Sequence, residues 1–471
     1  MGMDYQAVYG DLRNRIGKLT RAAIDAYVRD EEDGFGVVFE RNEKEYSISS
    51  GSAGASMEKK ISRPNARGEG GGSVTCTMTN VAGSREMQGK SYWNKFEDIR
   101  DRINRILDPW VDLPDPRDID DEIGKCRKVV ECLSKDSSIQ GNVIVPNGQI
   151  HDNLDSIKGE LQELRGSTVK AFRANFVGRL DGAVNGQAEI AKFWGAALGS
   201  EMGIFKKARE AVAQAVIRAT EMFEEIANSS SSSEEFKVVM KIADFALGGF
   251  SIFLTGGKTG KEVAKKAVDS LKTVTGLSDK NFSAPPSQSF GDGMTVLKKV
   301  FKAIDENITN SEKAVERNLI DNFTAIHSSR QRYDFSMDTI ESSETKSSEA
   351  LLIQQDRVDA IVKNFSPPIV TELATAQKKI EDVSMADCVN RDKNIGLGIY
   401  GPSSRFHDMK WLLHDLVKKT KRKVEYGIKD FERAVAFIQE QDADSKAKLD
   451  EMNKKIEDSD GEDPDPWQDR R

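Results

Sequence analysis

Leu164-Arg165-Gly166-Ser167-Thr168-Val169-Lys170-Ala171-Phe172 lies inside a long apolar seam. Leu154, Ile157, Leu161 and Leu164 lead into it and Phe172, Phe176 and Leu180 lead out, at the three-to-four-residue spacing of one helix face. A second seam runs through Ile190, Trp194, Ala197, Phe205, Ala208, Val212, Ala215, Ala219, Met222 and Ile226. Residues 181–186, Asp-Gly-Ala-Val-Asn-Gly, are rich in turn formers, so the spacing predicts two long helices that turn there and fold back antiparallel.

Outward from this hairpin the helical period persists. Toward the N-terminus, Trp93, Phe96, Ile99, Ile103 and Ile106 mark one helix, and a second follows over 119–133 after Pro109, Pro114 and Pro116. Toward the C-terminus, Leu297 to Ile326 and Val358 to Val383 trace two more seams, the latter kinked at Pro367 and Pro368. A last helix starts beyond the glycine-rich stretch 394–402 and carries Leu413, Val417, Val424, Phe431, Val435 and Ile438.

Before Trp93 the texture changes. Gly and Ser dominate 49–56 and 68–73, and only 36–40 and 46–49 could pair as a small hairpin. So few apolar residues predict a weakly ordered or small β/loop region, because burial there does not offset the entropy of ordering the chain. The expected fold class is therefore all-α: elongated antiparallel helical hairpins or a bundle, coiled-coil-like in its seams, with a weakly ordered N-terminal region. The expected organisation is residues 1–85 as that region, 86–228 as a helical region with the central hairpin, 229–289 as an apolar segment and linker, 290–457 as a long helical hairpin region, and 458–471 as an acidic disordered tail.

Composition narrows the function. The chain has 471 residues, 38% hydrophobic and 31% charged, with a net charge of −8, so it lacks the general basic footprint that nucleic acid requires. Lys418, Lys419, Lys421, Arg422 and Lys423 form one dense basic run, read as a solvated helix surface, with a partner or anionic lipid as the alternative. The four cysteines, Cys76, Cys126, Cys132 and Cys388, are too scattered for a disulfide framework, and no histidine completes a zinc pattern. Residues 1–18 lack the apolar run of a cleaved signal peptide, so any export must use another route.

Catalytic motifs are missing from the sequence as well. There is no phosphate-binding loop, no nucleophile elbow and no zinc-protease helix; 256–260, Gly-Gly-Lys-Thr-Gly, lacks the first glycine of a phosphate cradle. Adjacent acids at Asp120 and Asp121, or Glu224 and Glu225, diverge on a helix and read as solvated faces. His407 and His414 are two turns apart, about 10 Å, too far for one metal. The expectation is a non-enzyme without cofactor or metal, acting through helical protein partners or self-association, with no nucleic acid. The apolar segment 238–254, with Phe245, Phe250 and Phe253, reads first as a buried helix and otherwise as a membrane-contact segment, which would make the protein pore-forming or membrane-remodelling.

The central stretch resembles a helical-hairpin family whose signature is Trp, any residue, Gly, and whose members leave actinobacteria and related bacteria by type VII (ESX) secretion. Gly166 stands at the motif glycine, Leu164 stands where the family has Trp, and Ala171 and Phe172 continue the helix as small and aromatic residues. The resemblance implies a turn at Gly166, whereas the apolar spacing predicts one at 181–186. Members also carry a Tyr-x-x-x-Asp/Glu export signal, a spacing met by Tyr426 with Asp430 and again by Tyr27 with Glu31. Residues four apart share a helix face and can act as one recognition patch. The resemblance thus implies a protein cytoplasmic before export and then secreted or envelope-associated, either an exported substrate or a partner of one.

Overall fold

The structure, a computed structural model, describes residues 4–32, 37–52, 55–80, 82–134, 148–228, 236–240, 280–284, 287–336, 354–440 and 454. Its centre is one helix. α7 (Gly178–Ala227) has 50 residues, about 75 Å at 1.5 Å per residue. From Phe193 to Phe205 every residue but Met202 is buried, and Ala196, Ala197, Gly199, Ser200 and Gly203 let neighbours approach closely. A helix apolar on all sides must be surrounded, and α7 is: α1 (Tyr5–Gly10), α2 (Leu12–Glu32), α4 (Pro116–Leu133), α8 (Phe290–Ser328) and α12 (Ser403–Glu440) all pack on it.

The helical pair ahead of the hairpin forms where its periodicity places it. α3 (Trp93–Leu107) buries Phe96, Ile99, Ile103 and Leu107, and α4 begins with Asp115 as N-cap, its carboxylate accepting the Arg117 N–H at 2.9 Å. Pro116 sits in the first turn, where no intrahelical N–H is required. Pro367 and Pro368 likewise lie in the first turn of α10 (Ser366–Glu381), directly after a π-helix over Ala360–Phe365.

The N-terminal region overturns the all-α expectation. Five strands form an antiparallel meander in sequence order: β1 (Val37–Arg41), β2 (Glu45–Ser52), β3 (Ala55–Ser62), β4 (Val74–Asn80) and β5 (Gly83–Gln88). The expected hairpin is its first pair, with Phe39 opposite Ile48. One end of one face supplies the apolar contact: Tyr46, Ile48, Ile61 and Val74 are buried while β5 is exposed throughout.

Charge does the rest. Asp25 of α2, 2% exposed, accepts hydrogen bonds from the Tyr46 hydroxyl at 2.6 Å, Arg41 at 3.1 Å and Nε and Nη2 of Arg63. Arg41 also donates to the Asn228 side chain at 2.7 Å, which ties the sheet to the end of α7. The glycine-rich stretch is an ordered connection: Gly68, Gly70, Gly71 and Gly72 take positive φ, and Arg100 of α3 donates to the Gly68 and Gly70 carbonyls. Glycine here supplies backbone shapes that side chains disfavour.

Two further expectations change. Residues 181–186 are no turn; they lie within α7. Phe236–Met240 is a strand, β6, paired with β7 (Lys280–Ala284), so the helix expected over 238–254 fails at its first residues. Residues 241–279, with Phe245, Phe250 and Phe253, and the tail 458–471 lie outside the described residues. Among the described residues no helix is long and apolar enough to cross a membrane. The four cysteines are free.

Candidate functional site

The hairpin turn is at Leu164-Arg165-Gly166. α5 (Gln149–Glu163) ends as Leu164 takes an extended conformation, and Gly166, buried at φ 132°, reverses the chain in a conformation closed to other residues. α6 (Ser167–Ala171) then opens, with the Lys170 N–H donating to the Gly166 carbonyl at 3.1 Å, and runs through a π-helix over Phe172–Val177 into α7. Leu161, Leu164 and Val169 close the turn with buried side chains.

Polar contacts fix the two arms. His151 Nδ1 lies 2.9 Å from Asp181 Oδ1, and Lys158 Nζ lies 3.0 Å from Asp181 Oδ2. His151 Nε2 meets the Leu133 carbonyl at 3.1 Å, so the arm also holds the end of α4. The hydrogen bond from His151 and the charge of Lys158 hold the Asp181 carboxyl well below the usual carboxylate range, against the opposing effect of burial.

The last helix passes this turn. α12 runs antiparallel to the start of the α6–α7 rod: the Phe431 ring stacks on Phe172 at 4.2 Å between centroids, and Phe172 stacks on Phe176 at 4.7 Å. Phe176 meets Phe335 edge-on, and a Cβ on Gly427 would collide with the Phe176 ring. The widened turn of a π-helix shifts side-chain register. Here Phe172 and Phe176, four residues apart, share one face of it and stack on each other.

With Gly427 and Phe431 turned inward, Tyr426 is left 48% exposed on the flank of α12, one turn from half-buried Asp430. Partial burial raises the Asp430 carboxyl above its ordinary value, offset in part by Arg433 at 3.4 Å. The second π-helix, 360–365, packs against α5 and α12, and Arg357 of α9 (Gln355–Asp359) binds Glu160 of α5 at 2.8 Å. Beside the turn a cavity of about 210 Å³ is lined by Leu161, Gln162, Leu164, Arg165, Val169, Lys170 and Arg173, with no acid among them.

The structure thus brings together residues that sequence reading treated separately. Leu164 and Gly166 form the turn, Ala171 is exposed on α6, Phe172 is half-buried under Phe431, and Tyr426 with Asp430 lies on the helix that covers Phe172. The competing pair is differently placed: the Tyr27 ring packs edge-on against Tyr92 and Phe290, and burial with the Glu31 charge pushes its hydroxyl up to about 12. Phe431 stands on the apolar seam read from the sequence, but Gly427 was not singled out; a glycine inside a strongly helical stretch was the available signal.

The other candidates are structural. His407 accepts from the Trp411 indole at 2.6 Å, and His414 meets Glu381 at 2.8 Å and Gln377 at 3.1 Å. Lys419 pairs with Asp415 at 3.0 Å, and Lys423 donates to the Ser336 carbonyl, so the basic run is partly internal. Among the described residues no group of three His, Cys, Asp or Glu could hold a metal ion. No family model, curated protein or solved structure matches the chain.

Proposed function

We propose that the protein is a non-catalytic component of type VII secretion, exported itself or bound to exported proteins, and that the corner built from the hairpin turn and α12 is its recognition surface. One observation carries the reading: the helix bearing Tyr426 and Asp430 is packed by Phe431 and Gly427 against Phe172 and Phe176, beside the turn made by Gly166. Tyr426 is therefore held outward on a rigid helix next to the hairpin turn, and a partner reads one surface made from two distant segments. Rigid presentation lowers the ordering cost of binding. Exposed Tyr is a residue type that anchors interfaces.

The test is export and binding. In an actinobacterial host with an active type VII system, the protein is expected in the culture medium, and deletion of the secretion ATPase should retain it in cells. The purified chain is expected to capture a helical-hairpin protein of the same system. Secretion unchanged without the ATPase, together with no such capture, contradicts the reading.

A further inference from the structure

The connection between α11 (Met385–Cys388) and α12 is held to the body of the protein through a buried cluster with two carboxyl groups and one guanidinium. Arg391 turns inward: its Nη2 donates to Glu312 of α8, Nη1 to the Val389 carbonyl at 3.1 Å and Nε to the Ile395 carbonyl at 3.3 Å. The guanidinium lies over the Phe205 ring at 4.8 Å. Glu312 also accepts the Leu397 N–H at 2.7 Å, and Asp305 accepts the Gly396 N–H at 2.8 Å. A Cβ at Gly396 would collide with the Glu312 carboxylate, so glycine allows this approach. At the loop's outer side Ile399 and Tyr400 stand 40% and 48% exposed.

Glu201 of α7 does not fit a fully ionised cluster. It is completely buried, and neither carboxyl oxygen meets an N–H or O–H donor among the described residues. What it faces, within hydrogen-bond reach, is the Glu312 carboxyl, and two carboxylates there would repel in a medium that screens them poorly. With one proton on Glu201 the contact becomes a hydrogen bond to Glu312, and the cluster of two acids and Arg391 is neutral.

We propose that residues 391–402 form a proton-latched loop: the proton shared by Glu201 and Glu312 holds it closed, and loss of that proton releases it. The other titratable groups facing the cluster are Asp305, whose carboxyl is raised by partial burial, and the Cys388 thiol, pushed up to about 12 by burial and so neutral. Burial and their mutual repulsion raise the pair, and one shared proton relieves both, while Arg391 and the Leu397 N–H favour leaving the charge on Glu312. The sign follows from linkage. The closed loop binds a proton that the open, solvated carboxyls release, so opening is suppressed at acid pH and grows as pH rises from about 4.5 through neutrality.

Hydrogen exchange of the 391–402 backbone, corrected for the intrinsic pH dependence of exchange, reads the opening. In the full chain the opening constant should rise about tenfold per pH unit between pH 5 and 7, the signature of one linked proton. Glu201→Gln keeps a donor toward Glu312 and removes the proton, so its corrected exchange should be flat over the same range. Exchange that is flat in the wild type, or a variant that follows the wild-type slope, overturns the proposal. Should Glu201→Gln fail to fold, infrared spectroscopy of the wild type decides: a buried protonated carboxyl should show its carbonyl stretch at pH 6 and lose it on alkalinisation, and absence of that band at pH 6 also overturns it.

Discussion

Phe431 stacks on Phe172 with ring centroids 4.2 Å apart and planes 20° from parallel, joining the last described helix to the first turns after the hairpin. Phe431→Ala is expected to destabilise the protein by about 3 kcal/mol, as for a large buried aromatic ring. The stack itself is read by a double-mutant cycle with Phe172→Ala in urea unfolding. A coupling of about 0.5–1.5 kcal/mol is expected, and additive losses would mean the rings do not cooperate.

Two helical glycines should respond with opposite sign. Gly182, in α7, has nothing within 4 Å of where a Cβ would stand, so Gly182→Ala should stabilise by about 0.5–1 kcal/mol through helix propensity alone. Gly427 faces the Phe176 ring, and Gly427→Ala should destabilise by about 1–3 kcal/mol because the ring and α12 must separate. Thermal midpoints of the two variants check this directly.

Asp181 gives a pH prediction. Its carboxyl is held below the usual range by His151 and Lys158, so it stabilises the folded state fully above the unfolded carboxylate value of about 4, and that contribution is lost as pH falls below it. Asp181→Asn should lower the urea midpoint at pH 6, and the gap from the wild type should shrink toward pH 3. A gap equal at both pH values would remove the ionic account of the hairpin clasp.

One buried carboxylate, Asp25, gathers Arg41, Tyr46 and Arg63 onto α2. Asp25→Asn leaves Arg41 and Arg63 without their buried counter-charge and should cost about 3–5 kcal/mol. Tyr46→Phe removes one hydrogen bond to a charged group and should cost about 1.5–3 kcal/mol. Limited proteolysis should cut residues 37–88 sooner in Asp25→Asn than in the wild type.

These sites also show what the sequence could convey. The helical seams were legible because Phe96, Ile99 and Ile103, or Leu154, Ile157 and Leu161, repeat at the period of the face they bury. The sheet was not, because its attachment to α2 uses Asp25 meeting Arg41, Tyr46 and Arg63 in space, and glycines 68–72 look the same in a disordered tract and in a tight connection. The turn was misplaced by apolar spacing: Gly182 and Gly186 resemble turn residues, but Gly186 lies in α7 under the Tyr333 ring, where a Cβ would come within 2.7 Å. The reversal is at Gly166, which has a left-handed backbone. Nothing in the spacing announced that Tyr426 would share a corner with that turn, since the link is Phe431 on Phe172.

Export of Tyr426→Ala tests the central claim most directly. The variant removes a 48%-exposed side chain and should leave the thermal midpoint unchanged. Compared with the wild type and with Tyr400→Ala, which alters an equally exposed tyrosine on the loop before α12, its release into the medium of a host with an active type VII system is measured alongside a host lacking the secretion ATPase. The expected result is loss of release for Tyr426→Ala to the level of the ATPase-deficient host, with Tyr400→Ala released like the wild type. Release of Tyr426→Ala at the wild-type level would contradict recognition through this corner.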